Sequence, residues 1–133
     1  MERKEISKQI LKELSNKRSK AFVENFNALL KGWFVLLNVL QQNGGQMQFK
    51  ELAKELNVST ARLAVALNKS CEEGFTERVK LKTGSRATYV HLTKLGEIEL
   101  MAKQELIVTE TTKALQKLDE SEVLALLEIV KKL

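Results

Sequence analysis

Apolar positions recur at helical spacing along most of the chain, and alternate in only one stretch. Ile6, Ile10, Leu14, Phe22, Phe26, Leu29 and Leu30 predict a long helical first segment, with a break near Ser15-Asn16. Trp33, Phe34, Leu36, Leu37 and Leu40 fall in a stretch without a single charge, residues 32–47, which predicts a helix at the centre of a domain. Phe49, Leu52, Ala53 and Leu56 stand at i, i+3, i+4 and i+7, with Lys50, Glu51, Lys54 and Glu55 opposite. Asn57 tolerates the left-handed conformation that ends a helix, and Ser59 is a strong N-cap for the next one. Val58 and Leu63 are spaced as a hydrophobic staple across that cap. The helix that follows is expected to bury Leu63, Ala66, Leu67 and Ser70, and to stop before Gly74.

The period then changes from 3.6 to 2. Val79 and Leu81 alternate with Arg78, Lys80 and Lys82, which predicts a half-buried strand with a basic outer face. Thr88, Val90 and Leu92 alternate with Tyr89 and His91 in a second strand rich in β-formers. Thr83-Gly84-Ser85 is the turn between them. Helical spacing returns after Thr93, an N-cap for a long helix through Leu95, Ile98, Met101 and Leu106 to about Leu118. Asp119 with Glu122 reads as a capping-box variant, stapled by Leu118 and Val123. The last helix presents Val123, Leu126, Leu127, Val130 and Leu133 on one face.

Two helices joined by a capped turn describe a helix-turn-helix, about residues 49–73, although an ordinary helical hairpin has the same local signature. The basic hairpin that follows directly, about residues 75–92, separates the two readings and makes the unit a winged helix. The expected fold is therefore α+β and mostly α: one winged-helix domain over residues 1–133, with a lobe at 32–92 and long terminal helices at 1–31 and 93–133. In such a lobe the outward face of the second helix enters the DNA major groove. By helical spacing that face carries Ser59 and Thr60 at its start, then Ala61, Arg62, Val65, Asn68 and Lys69. The wing would add Arg78, Lys80, Lys82 and Arg86, with Arg86 placed to enter a narrow minor groove.

Charge supports this reading by its placement more than by its size. The net charge of +5 divides into +4 over residues 1–31, +3 over 48–92 and −2 over 93–133. The acidic end argues against a generic polycation, while the basic middle suits a phosphate backbone. At 133 residues the chain is long enough for one core and not for two. No apolar run approaches the roughly 18 residues of a membrane span, and the start MERKEISKQI lacks the apolar stretch of a secretory signal. One cysteine excludes an internal disulfide and fits a reducing cytoplasm.

The ELAKELNVS turn, the glycine in EEGFTER and the wing ending in SRATYVHLTKLG resemble the MarR family of bacterial transcriptional regulators. LDESEVLALLEIVKKL extends the likeness to a final helix. The resemblance implies a homodimer that binds a pseudo-palindromic operator, commonly as a repressor released by a small ligand. Where the family often has Asp-x-Arg at the wing tip, this chain reads Gly84-Ser85-Arg86. Ser70 replaces a usual leucine, which implies a slightly looser core. Thr60 and Val65 replace common polar or basic residues, so the operator sequence cannot be carried over.

The apolar stripes at both ends exceed what a small winged helix covers, which points to a second subunit; packing among the chain's own helices is the alternative. The resemblance places small aromatic inducers in a crevice that Phe22, Phe26, Trp33 and Phe34 could line, although plain core packing suits each of them individually. His91 is the only histidine and Cys71 the only cysteine, so no metal site and no cofactor are expected. Cys71 could sense oxidants with Lys69 nearby, but Glu72 and Glu73 oppose a thiolate. Gly44-Gly45 reads as a plain loop, and no nucleophile–base pair can be assembled, which argues against an enzyme. The remaining alternative to DNA binding is a winged helix used as a protein–protein interaction module.

Overall fold

The computed structural model describes residues 1–28, 32–80 and 87–133. Among these, seven helices and three strands follow in the order α1 (Arg3–Leu14), α2 (Lys17–Ala28), α3 (Gly32–Gln42), β1 (Gln46–Gln48), α4 (Phe49–Glu55), α5 (Thr60–Glu72), β2 (Thr76–Lys80), β3 (Thr88–Leu92), α6 (Lys94–Leu115) and α7 (Glu120–Lys132). The fold is α+β, mostly helical, with one small antiparallel sheet. Residues 27–104 form one compact unit, and residues 1–26 with 105–133 form another. The second half of α6 belongs to the latter. No helix among the described residues is long and apolar enough to cross a membrane.

The core of the 27–104 unit grows from the uncharged α3. Phe34, Leu36, Leu37 and Leu40 are buried there, together with Leu52 and Ala53 of α4, Leu63 and Leu67 of α5, Val90 and Leu92 of β3, and Leu100 of α6. Gln104 of α6 donates to Asn38 Oδ1 and Gln41 Oε1 of α3, each at 3.0 Å. That pairing gives the polar edge of α3 an internal partner.

The sheet contains a strand that the residue pattern does not announce. Gln46–Gln48 pairs antiparallel with β3, so the strand order is β1-β3-β2 and the expected hairpin becomes a three-stranded sheet. Gly44 and Gly45, at φ 83° and 88°, turn the chain from α3 into β1, and Gly45 accepts from the Leu92 N–H at 2.8 Å. The pair is a turn, as expected, and it leads directly into the sheet.

The register also revises one face. In an antiparallel pair, opposed residues point to the same side, and Arg78 is opposite the wholly buried Val90. Thr76, Arg78 and Lys80 therefore share the side that meets α5, where Thr76 Oγ1 donates to Ser70 Oγ at 3.0 Å. Val79 lies on the other side with Glu77, Tyr89 and His91. The alternation is as expected, but the basic residues are not on the side turned away from the helices.

The base of the wing is tied to the start of α6. Thr93 Oγ1 accepts from the Gly96 N–H at 3.0 Å and donates to the Gly74 carbonyl, so it caps α6 and holds the end of the α5 turn. A methyl group at Gly96 would overlap the Phe75 carbonyl oxygen. Only glycine permits this crossing.

The terminal helices follow their predicted punctuation. α1 closes at Ser15, and Asn16 Oδ1 accepts from the Ser19 N–H at 3.2 Å to start α2. Asp119 and Glu122 form a full capping box at α7. α6 ends at Leu115, three residues short of the expected end. No residue of α1 or α7 is buried. Leu29 and Leu30 lie outside the described residues.

Candidate nucleic-acid interface

Local chemistry sets the geometry of the helix-turn-helix. Asn57 takes φ 54°, so the chain leaves α4 through a left-handed residue. Ser59 Oγ accepts from the Arg62 N–H at 3.1 Å, which satisfies one of the free donors at the start of α5. Leu63, Leu67 and Ser70 then point into the core. Ser70 is buried, and Thr76 supplies its hydroxyl with a partner.

The opposite side of α5 is open. Thr60, Ala61, Arg62, Val65, Asn68 and Lys69 are all exposed, as is Ser59 at the cap. Val65, 72% exposed, is the large apolar member of this face. Ala66, expected in the core, is exposed as well. It lies between the buried Leu63 and Leu67 and the outward residues, on the wall of an apolar cleft.

Arg78 and Lys80 of β2 are exposed beside this face, and Arg78 Nη2 donates to Asn68 Oδ1 at 2.6 Å. The contact joins the wing strand to the outward face of α5, and no single-helix pattern could have indicated it. Lys82 and Arg86 lie outside the described residues.

An apolar cleft of about 570 Å³ adjoins the same helix. Leu36 and Trp33 of α3, Leu56 and Val58 of the turn, and Leu63, Val65 and Ala66 of α5 line it, with Arg62, Lys69 and Glu73 as its charged members. Trp33 is half-buried, with its ring 5.2 Å from that of Phe75 and 6.4 Å from that of Phe34. Phe34 is buried in the core and does not line this cleft. Phe22, half-buried, and Phe26, exposed, belong to the other unit.

The two residues with candidate chemistry are embedded in ordinary contacts. Cys71 is half-buried with Sγ 3.4 Å from Thr76 Oγ1. His91 Nε2 stands 4.0 Å from Glu77 Oε1, while its Nδ1 is buried with no hydrogen-bond partner among the described residues. No group of three or more metal-binding side chains forms among the described residues.

The sequence matches no protein-family model and no curated protein. Solved structures do match. A MarR family protein from Bacillus stearothermophilus superposes with a TM-score of 0.75 at 14% identity, over 99% of this chain and 95% of that one. FabT of Streptococcus pneumoniae, in complex with DNA, gives 0.71 at 17% identity over 98% and 94%. The organohalide-sensing transcriptional regulator RdhR-CbdbA1625, bound to 2,4-dichlorophenol, gives 0.68 at 13% identity over 99% and 79%. All three likenesses extend over nearly the whole of this chain, beyond the winged-helix lobe alone. The chain has the winged-helix fold of the MarR-family regulators.

Proposed function

We propose that the protein is a sequence-specific regulator of transcription, without enzymatic activity, that binds double-stranded DNA as a homodimer. The observation that carries this reading is the outward face of α5. Arg62, Asn68 and Lys69 surround the exposed Val65, with Arg78 and Lys80 of the wing strand alongside. That surface combines base-reading donors, an apolar contact suited to a thymine methyl, and phosphate-pairing cations. Two copies would place two such helices on the half-sites of a pseudo-palindromic operator, where occupancy would exclude polymerase and repress.

The DNA complex of FabT, a protein of the same fold, supports the partner class. The dichlorophenol complex supports a small aromatic effector. In this chain, Arg62 and Lys69 belong both to the outward face and to the cleft beside Trp33. A ring lodged there would compete with DNA for the same two cations. Trp33 is the only tryptophan, so quenching of its emission by a panel of phenols reports occupancy.

Binding titrations of labelled duplexes at several salt concentrations test the core of the proposal. Affinity should fall steeply with salt, by about 0.9 log units per log unit of salt for each phosphate neutralised. Arg62→Ala should lose about 1–3 kcal/mol and relax preference at a single base pair. If Arg62→Ala weakens every duplex equally, Arg62 is a phosphate clamp. The exposed Val65 and the apolar cleft beside it also favour a second reading, a protein-docking face. Absence of salt-dependent DNA binding would overturn the first reading and leave the second to be tested by direct binding of a partner protein.

A further inference from the structure

Asn68 stands on the outward face of α5, one turn beyond Val65 and two beyond Ala61, and its amide oxygen is held by the Arg78 guanidinium. A guanidinium nitrogen can only donate, so the atom 2.6 Å from it must be the oxygen of the amide and not its nitrogen. Arg78 in turn is fixed by register. It opposes the buried Val90, which places its side chain on the α5 side of the sheet. A bond with a charged donor is roughly twice as strong as a neutral one. The amide plane of Asn68 is therefore set before any partner arrives.

We infer that Arg78 is a positioning residue that orients Asn68 so that only its NH2 end is presented to the major groove. The inference rests on the DNA-binding reading above and specifies what that surface selects. An unconstrained asparagine prefers adenine, because its amide accepts from N6–H while donating to N7. Here the oxygen already accepts from Arg78, which competes with N6–H for it and weakens that two-pronged contact. What remains is a pair of N–H donors, which suits an edge made of acceptors: guanine N7 and O6, or thymine O4. The Arg78–Asn68 contact then acts as a specificity device, even though Arg78 itself need not touch a base.

The test is selection of binding sites from a pool of randomised duplexes by full-length protein, comparing wild type with four variants. Asn68→Ala identifies the position read by Asn68 as the one whose preference disappears. Wild type should favour guanine or thymine over adenine there by about tenfold, within the range expected of a single base contact. Arg78→Met frees the amide, and adenine should rise about tenfold at that position alone. Arg78→Lys, which can still donate to the oxygen, should retain the wild-type preference. Asn68→Asp keeps an acceptor for Arg78 but offers no donor, so preference should move to the cytosine N4–H edge. Circular dichroism of each variant separates loss of fold from loss of reading.

A wild-type preference for adenine at that position, or an unchanged preference in folded Arg78→Met, would overturn the inference. So would an unchanged site in Asn68→Ala. If wild type enriches no sequence at all, the DNA-binding reading fails and the inference with it. The two failures are thus told apart by whether any site emerges.

Discussion

In the 27–104 unit, Leu37, Leu40, Leu52, Leu63, Leu67 and Leu100 lose nearly all contact with solvent. In the other unit, α1 and α7 bury no residue, and Ile6, Ile10, Leu11 and Leu14 of α1 stay exposed. So do Leu124, Leu127, Ile129 and Val130 of α7. The two units therefore use a similar stock of aliphatic side chains for opposite ends. One closes a core on its own. The other displays apolar area that water does not favour, at about 25 cal/mol for each Å² that a partner could cover. The proposed second copy would cover it, because a patch that fits itself closes into a dimer.

Removing residues 119–133 breaks the comparison most directly. The intact chain should scatter light as a particle of about 30 kDa, twice the 15.1 kDa of one chain, and the truncated chain as a monomer or an aggregate. A monomeric intact protein at micromolar concentration would leave the exposed faces without a dimer to explain them.

A pair of point substitutions sharpens it. Leu37→Ala, at a site with no solvent exposure, should cost about 2–5 kcal/mol whatever the protein concentration. Leu127→Ala, at 50% exposure in the single chain, should lower the melting temperature by an amount that depends on concentration, because it acts through assembly. Equal concentration dependence for the two in a thermal melt series would erase the distinction.

The caps come next. Ser59→Ala removes the acceptor for the Arg62 N–H and should cost about 1 kcal/mol in chemical denaturation. A smaller effect belongs to Asp119. The Glu122 backbone N–H, and then the Ser121 hydroxyl, hold its carboxyl below the ordinary value of 3.8. A carboxylate with a depressed pKa stabilises the fold above its unfolded-state value, and that contribution is lost as pH falls through the folded one. Asp119→Ala should therefore lower the melting temperature at neutral pH, with the difference from wild type fading below pH 3.8.

What was legible in the sequence depended on range. Asn57, Ser59, Thr93, Asp119 and the Ser15-Asn16 break act within four residues of themselves, so spacing and residue type sufficed to place them. β1 escaped because three residues carry no readable alternation and become a strand only by pairing with Gln46↔His91, Met47↔Val90 and Gln48↔Tyr89. The side on which Arg78 lies was hidden for the same reason, since alternation gives two faces and only the register with Val90 says which one meets α5. The members of the outward face of α5 followed from a 3.6-residue period, but the coupling of Asn68 to Arg78 is a contact between elements. Ala66 shows the limit within one helix: its spacing suits either the core edge or the surface, and a methyl is too small to decide.

The crossing at Gly96 has a further consequence, for evolution. A scan of all amino acids under selection for folding alone should return glycine at 96 and little else, because any Cβ there meets a backbone oxygen that cannot rotate away. The same scan should leave Val65 nearly unconstrained, since its side chain projects into solvent. Descendants of this chain could thus vary at 65 and its neighbours while the junction of wing and helix stays frozen.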